Sequence, residues 1–117
     1  MLTTIIDCPD FATALTKAKE ILPEPETFQE ACQTVTLALS LLLVSKNHKY
    51  GKENINRFGG QGIFMRLWDK IMRLEQHLFK GAELGKESSL DTWGDIAGYG
   101  LVGALQDLGW YNLPVKQ

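Results

Sequence analysis

The segment between Pro25 and Gly51 most constrains the fold, because its 25 residues contain neither glycine nor proline. Thr27 followed by Glu30 forms a capping-box pattern, which predicts a helix that starts here and runs to about Asn47. Its apolar residues cover more than half of the helix circumference, as in a core helix packed on most sides. They are Ala31, Val35, Leu37, Ala38, Leu41, Leu42 and Val44. Two buried strands are the alternative, because β-branched residues are frequent here, but the length favours a helix.

Two further amphipathic segments flank this central helix. Asp10 after Pro9 indicates the start of a short first helix, which Pro23 ends. The segment from Gln61 to Lys80 predicts a third helix with one apolar face and one charged face. The apolar face comprises Ile63, Phe64, Leu67, Trp68, Ile71, Leu74 and Leu78. Between the second and third helices, residues 48–60 are polar, basic and rich in turn formers, which predicts a binding or lid loop.

The last helix is expected to begin at Ser88 or Ser89 and to end at about Leu108, before Gly109. Its predicted packing stripe is Leu90, Trp93, Ala97, Leu101, Ala104 and Leu108. Four glycines lie inside this helix, and each costs about 1 kcal/mol of helix propensity relative to alanine. Close helix crossing or close approach of a ligand would offset that cost. The fold predicted from these segments is all-α, a single domain over residues 1–117 built as an antiparallel bundle of about four helices.

Composition excludes several functional classes. Residues 1–45 carry a net charge of −4, residues 46–80 of +5 and residues 81–117 of −3, for a total of −2. An acidic chain has no general attraction for duplex DNA, whereas a local basic segment suits a small anion. The apolar run from Leu37 to Val44 is shorter than a membrane span requires, so no membrane partner is expected. Cys8 and Cys32 lack metal-ligand spacing, which favours free thiols in a cytoplasmic protein.

Two aspartates in the last helix are candidate metal ligands. Asp91 and Asp95 are four residues apart, on one helix face, with Glu87 just before the helix. Carboxylate pairs of this kind suit Mg²⁺, which takes one or two carboxylates and completes its coordination with water and phosphate. The structural alternative is that Glu87 and Asp91 stabilise the positive end of the helix dipole. Asp95 is in the second helical turn, where that explanation is weaker.

The charged face of the third helix supplies candidate ligand-binding residues. The candidates on this helix are Arg66, Asp69, Lys70 and Arg73. Lys49 and Arg57 lie in the basic segment ahead of the helix, and bases of this kind bind phosphate groups. Tyr50 and Tyr99 offer aromatic rings that suit stacking on a nucleobase. An ordinary solvated helix face is the alternative interpretation of the charges.

Three sequence blocks form a distinctive combination: Lys49-Tyr50-Gly51, the segment 62–74 (GIFMRLWDKIMRL) and the segment 87–99 (ESSLDTWGDIAGY). Together they resemble the nucleotide modification-associated domain 1 family of phages and bacteria. The resemblance covers about half of the chain. That family is distantly similar to the all-α nucleoside triphosphate pyrophosphatases, which hold Mg²⁺ with ExxE and ExxD motifs on two helices. This chain has a lone Glu30 on its second helix, and its later motif reads Glu87-xxx-Asp91-xxx-Asp95.

The resemblance implies a nucleotide-related role and leaves three functions open. One is Mg²⁺-dependent hydrolysis of a nucleoside triphosphate between the α and β phosphates. Another is sequestration of a nucleotide second messenger without turnover, as an anti-defence function. The third is a helical protein-interaction module, in which Asp91, Asp95 and the bases form interhelical ion pairs. The apolar second helix and the glycine-bearing last helix suggest an additional interface, so a homodimer is expected; no catalytic residue is assigned.

Overall fold

The computed structural model describes residues 5–85 and 88–116, and within them the chain is all-α, as predicted. Five helices are present: α1 (Phe11–Ile21), α2 (Phe28–Tyr50), α3 (Glu53–Asn56), α4 (Gly59–Lys80) and α5 (Ser89–Asp107). They divide between two compact units. The first contains α1 and α2, with the described residues of Met1–Gly51 and Pro114–Gln117, and the second, Lys52–Leu113, contains α3, α4 and α5.

In the first unit, α1 and α2 form an antiparallel pair with an apolar interface. Alanines at the contact let the two backbones approach closely, and Leu42 on α2 fills the space beside them. The buried core comprises Cys8, Phe11, Ala14, Ala18, Ala38, Leu39, Leu41 and Leu42. At one end the Cys8 amide donates to Ser45 Oγ at 2.8 Å, which satisfies two buried polar groups. Both cysteines are free thiols, as expected.

Local hydrogen bonds set the starts of α1 and α2 at the predicted residues. Asp10 Oδ1 accepts from the Thr13 amide at 2.8 Å. Hydrogen bonds from the amide and the side chain of Thr13 are the main reason that the pKa of Asp10 is lowered. Thr27 Oγ1 accepts from the Glu30 amide at 3.1 Å. In a usual capping box Glu30 would accept from the amide of the N-cap residue, Thr27. Here Glu30 Oε1 accepts from the amide of Glu26, one residue earlier.

The predicted loop over residues 48–60 is mostly helical, and this prediction was wrong. Residues 48–50 complete α2, residues 53–56 form α3, and residues 59–60 open α4. Gly51 ends α2 with a φ of 76°, a backbone conformation that glycine adopts without strain. Polar composition led to the wrong prediction, because a single-turn helix such as α3 is too short to show an apolar period.

The predicted packing faces of α4 and α5 were also largely wrong. On α4, Ile63 and Leu74 are buried as expected, but Phe64, Trp68, Ile71 and Leu78 are exposed. On α5, all six residues of the predicted stripe are exposed, and the buried residues are Thr92, Gly94, Gly98 and Val102. The two helices therefore contact each other through faces other than their most apolar ones.

By length and composition alone, the 23-residue helix α2 is sufficient to cross a membrane. The core helix of a soluble protein passes the same test, so this is weak evidence for a membrane span. Ala38, Leu41 and Leu42 of α2 are buried in the core that it forms with α1. However, Val35 and Val44 are exposed and only 33% of the apolar window of α2 is buried, so α2 is packed on one side, not on most sides as the sequence predicted.

Candidate functional site

Charged side chains lie between α4 and α5, where an apolar contact is usual. Lys70 Nζ of α4 lies 2.9 Å from Asp95 Oδ2 of α5, and the two side chains are 19% and 16% exposed. Arg66 and Asp91, one helical turn away on their helices, are partly buried as well. We call these four residues the charged seam: Arg66, Lys70, Asp91 and Asp95. All four are among the residues predicted from the sequence to bind a ligand.

Small residues on α5 allow this arrangement. Gly94 and Gly98 are buried and flank Asp95, so the α5 backbone presents no side chain there. Gly100 and Gly103 differ, because a Cβ atom added at either residue would meet no atom within 4 Å. Burial of Gly94 and Gly98 agrees with close helix packing, one of the two explanations for the helical glycines given from the sequence. The other two have no such explanation in the described part of the chain.

Two residues of the charged seam also have local structural partners. Arg66 donates from Nη2 to the Asn54 carbonyl oxygen at 3.2 Å, which links α4 to α3. Asp91 accepts from Ser88 Oγ at 3.0 Å, while its own amide donates to that same hydroxyl at 3.1 Å. Ser88 is thus the N-cap of α5, and Asp91 lies in the first turn, where a carboxylate stabilises the helix dipole.

The remaining predicted ligand residues lie in different places. Asp69 and Arg73 are exposed on α4, and Tyr99 is half-buried on α5. Arg57 Nε lies 3.7 Å from Glu53 Oε1 on the solvent side of α3. The other two, Lys49 and Tyr50, end α2 in the first unit, and the Lys49 ammonium lies 5.5 Å from the Tyr50 ring centroid.

Sequence reasoning missed a polar network in the second unit. Asn56 of α3 donates to Asn112 Oδ1 at 2.7 Å and accepts from Gln106 Nε2 of α5 at 3.2 Å. Close by in the sequence, the Lys52 ammonium lies 5.1 Å from the Tyr111 ring centroid, within the range of a cation–π contact. These contacts join residues fifty or more positions apart, and no local pattern could have indicated them. They hold α3 against the C-terminal end of α5.

The predicted magnesium site can be tested for fit at the two aspartates. Asp91 and Asp95 supply the one or two carboxylates that Mg²⁺ takes when phosphate and water complete its coordination. The third predicted ligand, Glu87, lies outside the described residues. Among residues 5–85 and 88–116, no group of three or more histidine, cysteine, aspartate or glutamate side chains forms a ready-made metal site. The prediction of Mg²⁺ therefore depends on a phosphate ligand that would share the ion.

Comparison of the chain with protein-family models, with curated proteins and with solved structures gives no significant match. The resemblance to the nucleotide modification-associated domain 1 family therefore stays a prediction.

Proposed function

We propose that the second unit binds the phosphate groups of a nucleotide or of a nucleotide-derived small molecule at the charged seam. In this proposal Arg66, Lys70 and the neighbouring Arg73 contact phosphate oxygens, because guanidinium and ammonium groups form short charge-assisted hydrogen bonds to them. Asp91 and Asp95 would hold Mg²⁺, which neutralises phosphate charge when it is bound. Tyr99 offers its ring to the base. Arg57, Asp69, Lys49 and Tyr50 are further predicted contacts, and their roles remain predictions.

The observation that supports this proposal is the position of the Lys70–Asp95 pair. Placing two charges in a helix interface costs desolvation energy, and apolar residues of similar volume often stabilise such an interface equally well or better. On α4 the large apolar residues Phe64, Trp68 and Ile71 could fill such an interface, yet they lie on the exposed side of the helix. A chain that keeps charges inside and apolar residues outside gains little stability from the arrangement. Ligand binding would explain why the charges are there, because a phosphate could replace Asp95 as the partner of Lys70, and a cation could replace Lys70 as the partner of Asp95.

A cytoplasmic nucleotide-binding protein of a phage or bacterium fits this proposal, and two activities are consistent with it. In hydrolysis the second unit would orient a triphosphate for attack by water, and pyrophosphate would be released. In sequestration it would hold a nucleotide second messenger unchanged. The lone Glu30 on α2, in place of an ExxE motif, favours sequestration, because metal-assisted hydrolysis needs carboxylates that hold the ion and orient a water molecule.

A protein-interaction module is the second candidate, and one observation favours it. Lys70 and Asp95 are already paired at 2.9 Å, so the charges can serve simply to hold the two helices together. In that case no nucleotide would alter the stability of the protein. Neutralising either charge would still destabilise the unit, because the remaining charge would lose its partner.

A thermal-shift screen of the full chain distinguishes these candidates. The panel contains nucleoside mono-, di- and triphosphates and cyclic or ADP-ribose-type messengers, each with and without Mg²⁺. A ligand at one hundred times its dissociation constant adds about 2.7 kcal/mol of stability, which raises the melting temperature by several degrees. No shift with any member of the panel would contradict nucleotide binding and favour the interaction module.

Two variants locate the site without disturbing its packing. Arg73→Gln removes an exposed guanidinium next to the charged seam and is expected to reduce the ligand-induced shift. Lys80→Gln, the matched control, removes an exposed charge two turns further along α4 and is expected to leave the shift unchanged. Pyrophosphate release would then indicate hydrolysis, and recovery of the intact ligand after heat denaturation would indicate sequestration.

A further inference from the structure

A row of large apolar side chains lies exposed along α4, away from the charged seam. We call it the α4 strip, and it comprises Phe64, Met65, Trp68, Ile71, Leu78 and Phe79. Each of these side chains is between 40% and 83% exposed. With about 200 Å² for each large side chain, they expose roughly 600–700 Å² of apolar surface. The largest apolar patch on a typical monomer is about 300–600 Å², so the α4 strip has the size of an interaction surface.

The spacing of four of these residues suits packing along another helix. Gln61, Phe64, Trp68, Ile71, Glu75 and Leu78 follow one another at alternating intervals of three and four. That interval is the signature of a helix that packs along another helix with interlocking side chains. Phe64 and Trp68 are already stacked, with ring centroids 6.3 Å apart, which orders the surface before binding.

We propose that the α4 strip is a homodimer interface, in which α4 packs antiparallel against α4 of a second copy. The available area approaches the roughly 800 Å² per partner that a stable dimer buries. Charge selects the orientation. A parallel pair would place Glu75 against Glu75 of the other copy, whereas an antiparallel pair places Glu75 against Phe64 and Gln61 against Leu78. Trp68 and Ile71 then meet at the two-fold axis, where interface residues contribute most to affinity.

This interface is separate from the proposed ligand site. Arg73 follows Phe64 by nine residues, which at 100° per residue places it half a turn around α4 from the middle of the strip. Dimerisation therefore leaves the exposed side of the charged seam accessible. Loss of the dimer and loss of nucleotide binding are thus separate outcomes.

Sedimentation equilibrium of the full chain across a dilution series tests the proposal. The expected result is a reversible monomer–dimer equilibrium. Ile71→Glu is expected to raise the dimer dissociation constant by roughly tenfold or more, since it places a charge at the centre of the interface. Leu101→Glu on α5 is the matched control, because Leu101 and Ile71 are both 40% exposed, and it is expected to leave the equilibrium unchanged. Far-UV circular dichroism verifies that both variants remain helical.

Cross-linking tests the antiparallel orientation in a Cys32→Ser background. A mixture of Gln61→Cys and Leu78→Cys proteins is expected to form a mixed disulfide dimer, while Glu75→Cys protein alone is expected to cross-link poorly. A wild-type chain that is monomeric at every concentration would overturn the proposal, whether or not the variants fold. So would a dimer that Leu101→Glu dissociates and Ile71→Glu leaves intact, because it would assign the interface to α5.

Discussion

The two units contain similar helix pairs and arrange their residues in opposite ways. In the first unit α1 and α2 bury one apolar core between them, around Ala14, Ala18 and Leu42. In the second unit α4 and α5 bury few apolar side chains, a Lys–Asp pair lies between them, and most large apolar side chains of α4 remain exposed. The first arrangement is the one that gives a helix pair stability by itself. The second places paired charges inside a helix contact and leaves large apolar side chains exposed.

The contrast shows that an amphipathic pattern identifies a helix but not the neighbour of each face. An apolar face is covered either within the chain or by another molecule, and the pattern is the same in both cases. In the first unit it is covered within the chain. In the second unit the exposed apolar face of α4 is the basis of the proposed dimer, and the charged seam is the basis of the proposed ligand site.

The largest expected effect tests the apolar core of the first unit. Leu42 is 2% exposed, and Leu42→Ala is expected to lower the free energy of unfolding by about 2–5 kcal/mol, because it leaves a cavity. Urea denaturation followed by circular dichroism measures this change. Leu108→Ala, at an exposed position in the second unit, is the control and is expected to change stability by less than about 0.5 kcal/mol. If the two substitutions lowered the free energy of unfolding equally, the proposed difference between the apolar core of the first unit and the exposed apolar residues of the second would be wrong.

The next effect tests the charged seam. Asp95→Asn is expected to lower the free energy of unfolding by about 1–3 kcal/mol, because Lys70 loses its carboxylate partner. The double variant Lys70→Met with Asp95→Leu is expected to recover most of that loss, since neither charge remains. Asp69→Asn is the control on the exposed side of α4. If the double variant is less stable than Asp95→Asn alone, the pair contributes to stability and the contrast with the first unit is weaker.

A smaller effect concerns the start of α1. Asp10→Ala removes the N-cap and is expected to cost about 1 kcal/mol. The pKa of Asp10 is lower in the folded state than in the unfolded chain. The contribution of the ionised carboxylate to the free energy of unfolding is therefore complete at pH values above the pKa of the unfolded chain. The contribution is lost as the pH falls through the folded pKa. Wild-type and Asp10→Ala proteins should therefore converge in stability at acidic pH, and a constant difference across the acid range would contradict this origin.

The smallest expected effect is a gain in stability in the second unit. Gly100→Ala and Gly103→Ala are each expected to stabilise the protein by about 0.5–1 kcal/mol, because alanine favours the helix and open space surrounds both positions. Thermal denaturation measures the change. Gly62→Ala is the opposite control, since its Cβ would lie 2.7 Å from Phe58 Cβ and force a displacement. A loss of stability at Gly100 or Gly103 would indicate that another molecule approaches α5 closely.

The four long helices could be predicted from the sequence, because their signals are local. Asp10, Thr27 and Ser88 cap the helices that they were expected to cap, and Gly81 ends α4 in the left-handed conformation. The turn α3 was missed, because four residues are too few to show a helical period. For the site, the spacing of Arg66, Lys70, Asp91 and Asp95 indicated which side chains share a helix face. One hypothesis from the sequence was that the aspartates and the bases form interhelical ion pairs, but it did not indicate which base pairs with which aspartate; the structure pairs Lys70 with Asp95.

By itself the sequence determined the helical class, the starts of α1, α2 and α5, the end of α4, and the set of charged residues on α4 and α5. These features depend on hydrogen bonds and periodicities that span a few residues. Only the tertiary structure decided which faces are buried, because that choice depends on the total burial and desolvation over two whole helices. Gly94 and Gly98 of α5 are buried, and Lys70 meets Asp95 between the two helices. Ile63 and Leu74 of α4 are buried as well, whereas its other large apolar residues, such as Phe64 and Trp68, are left exposed.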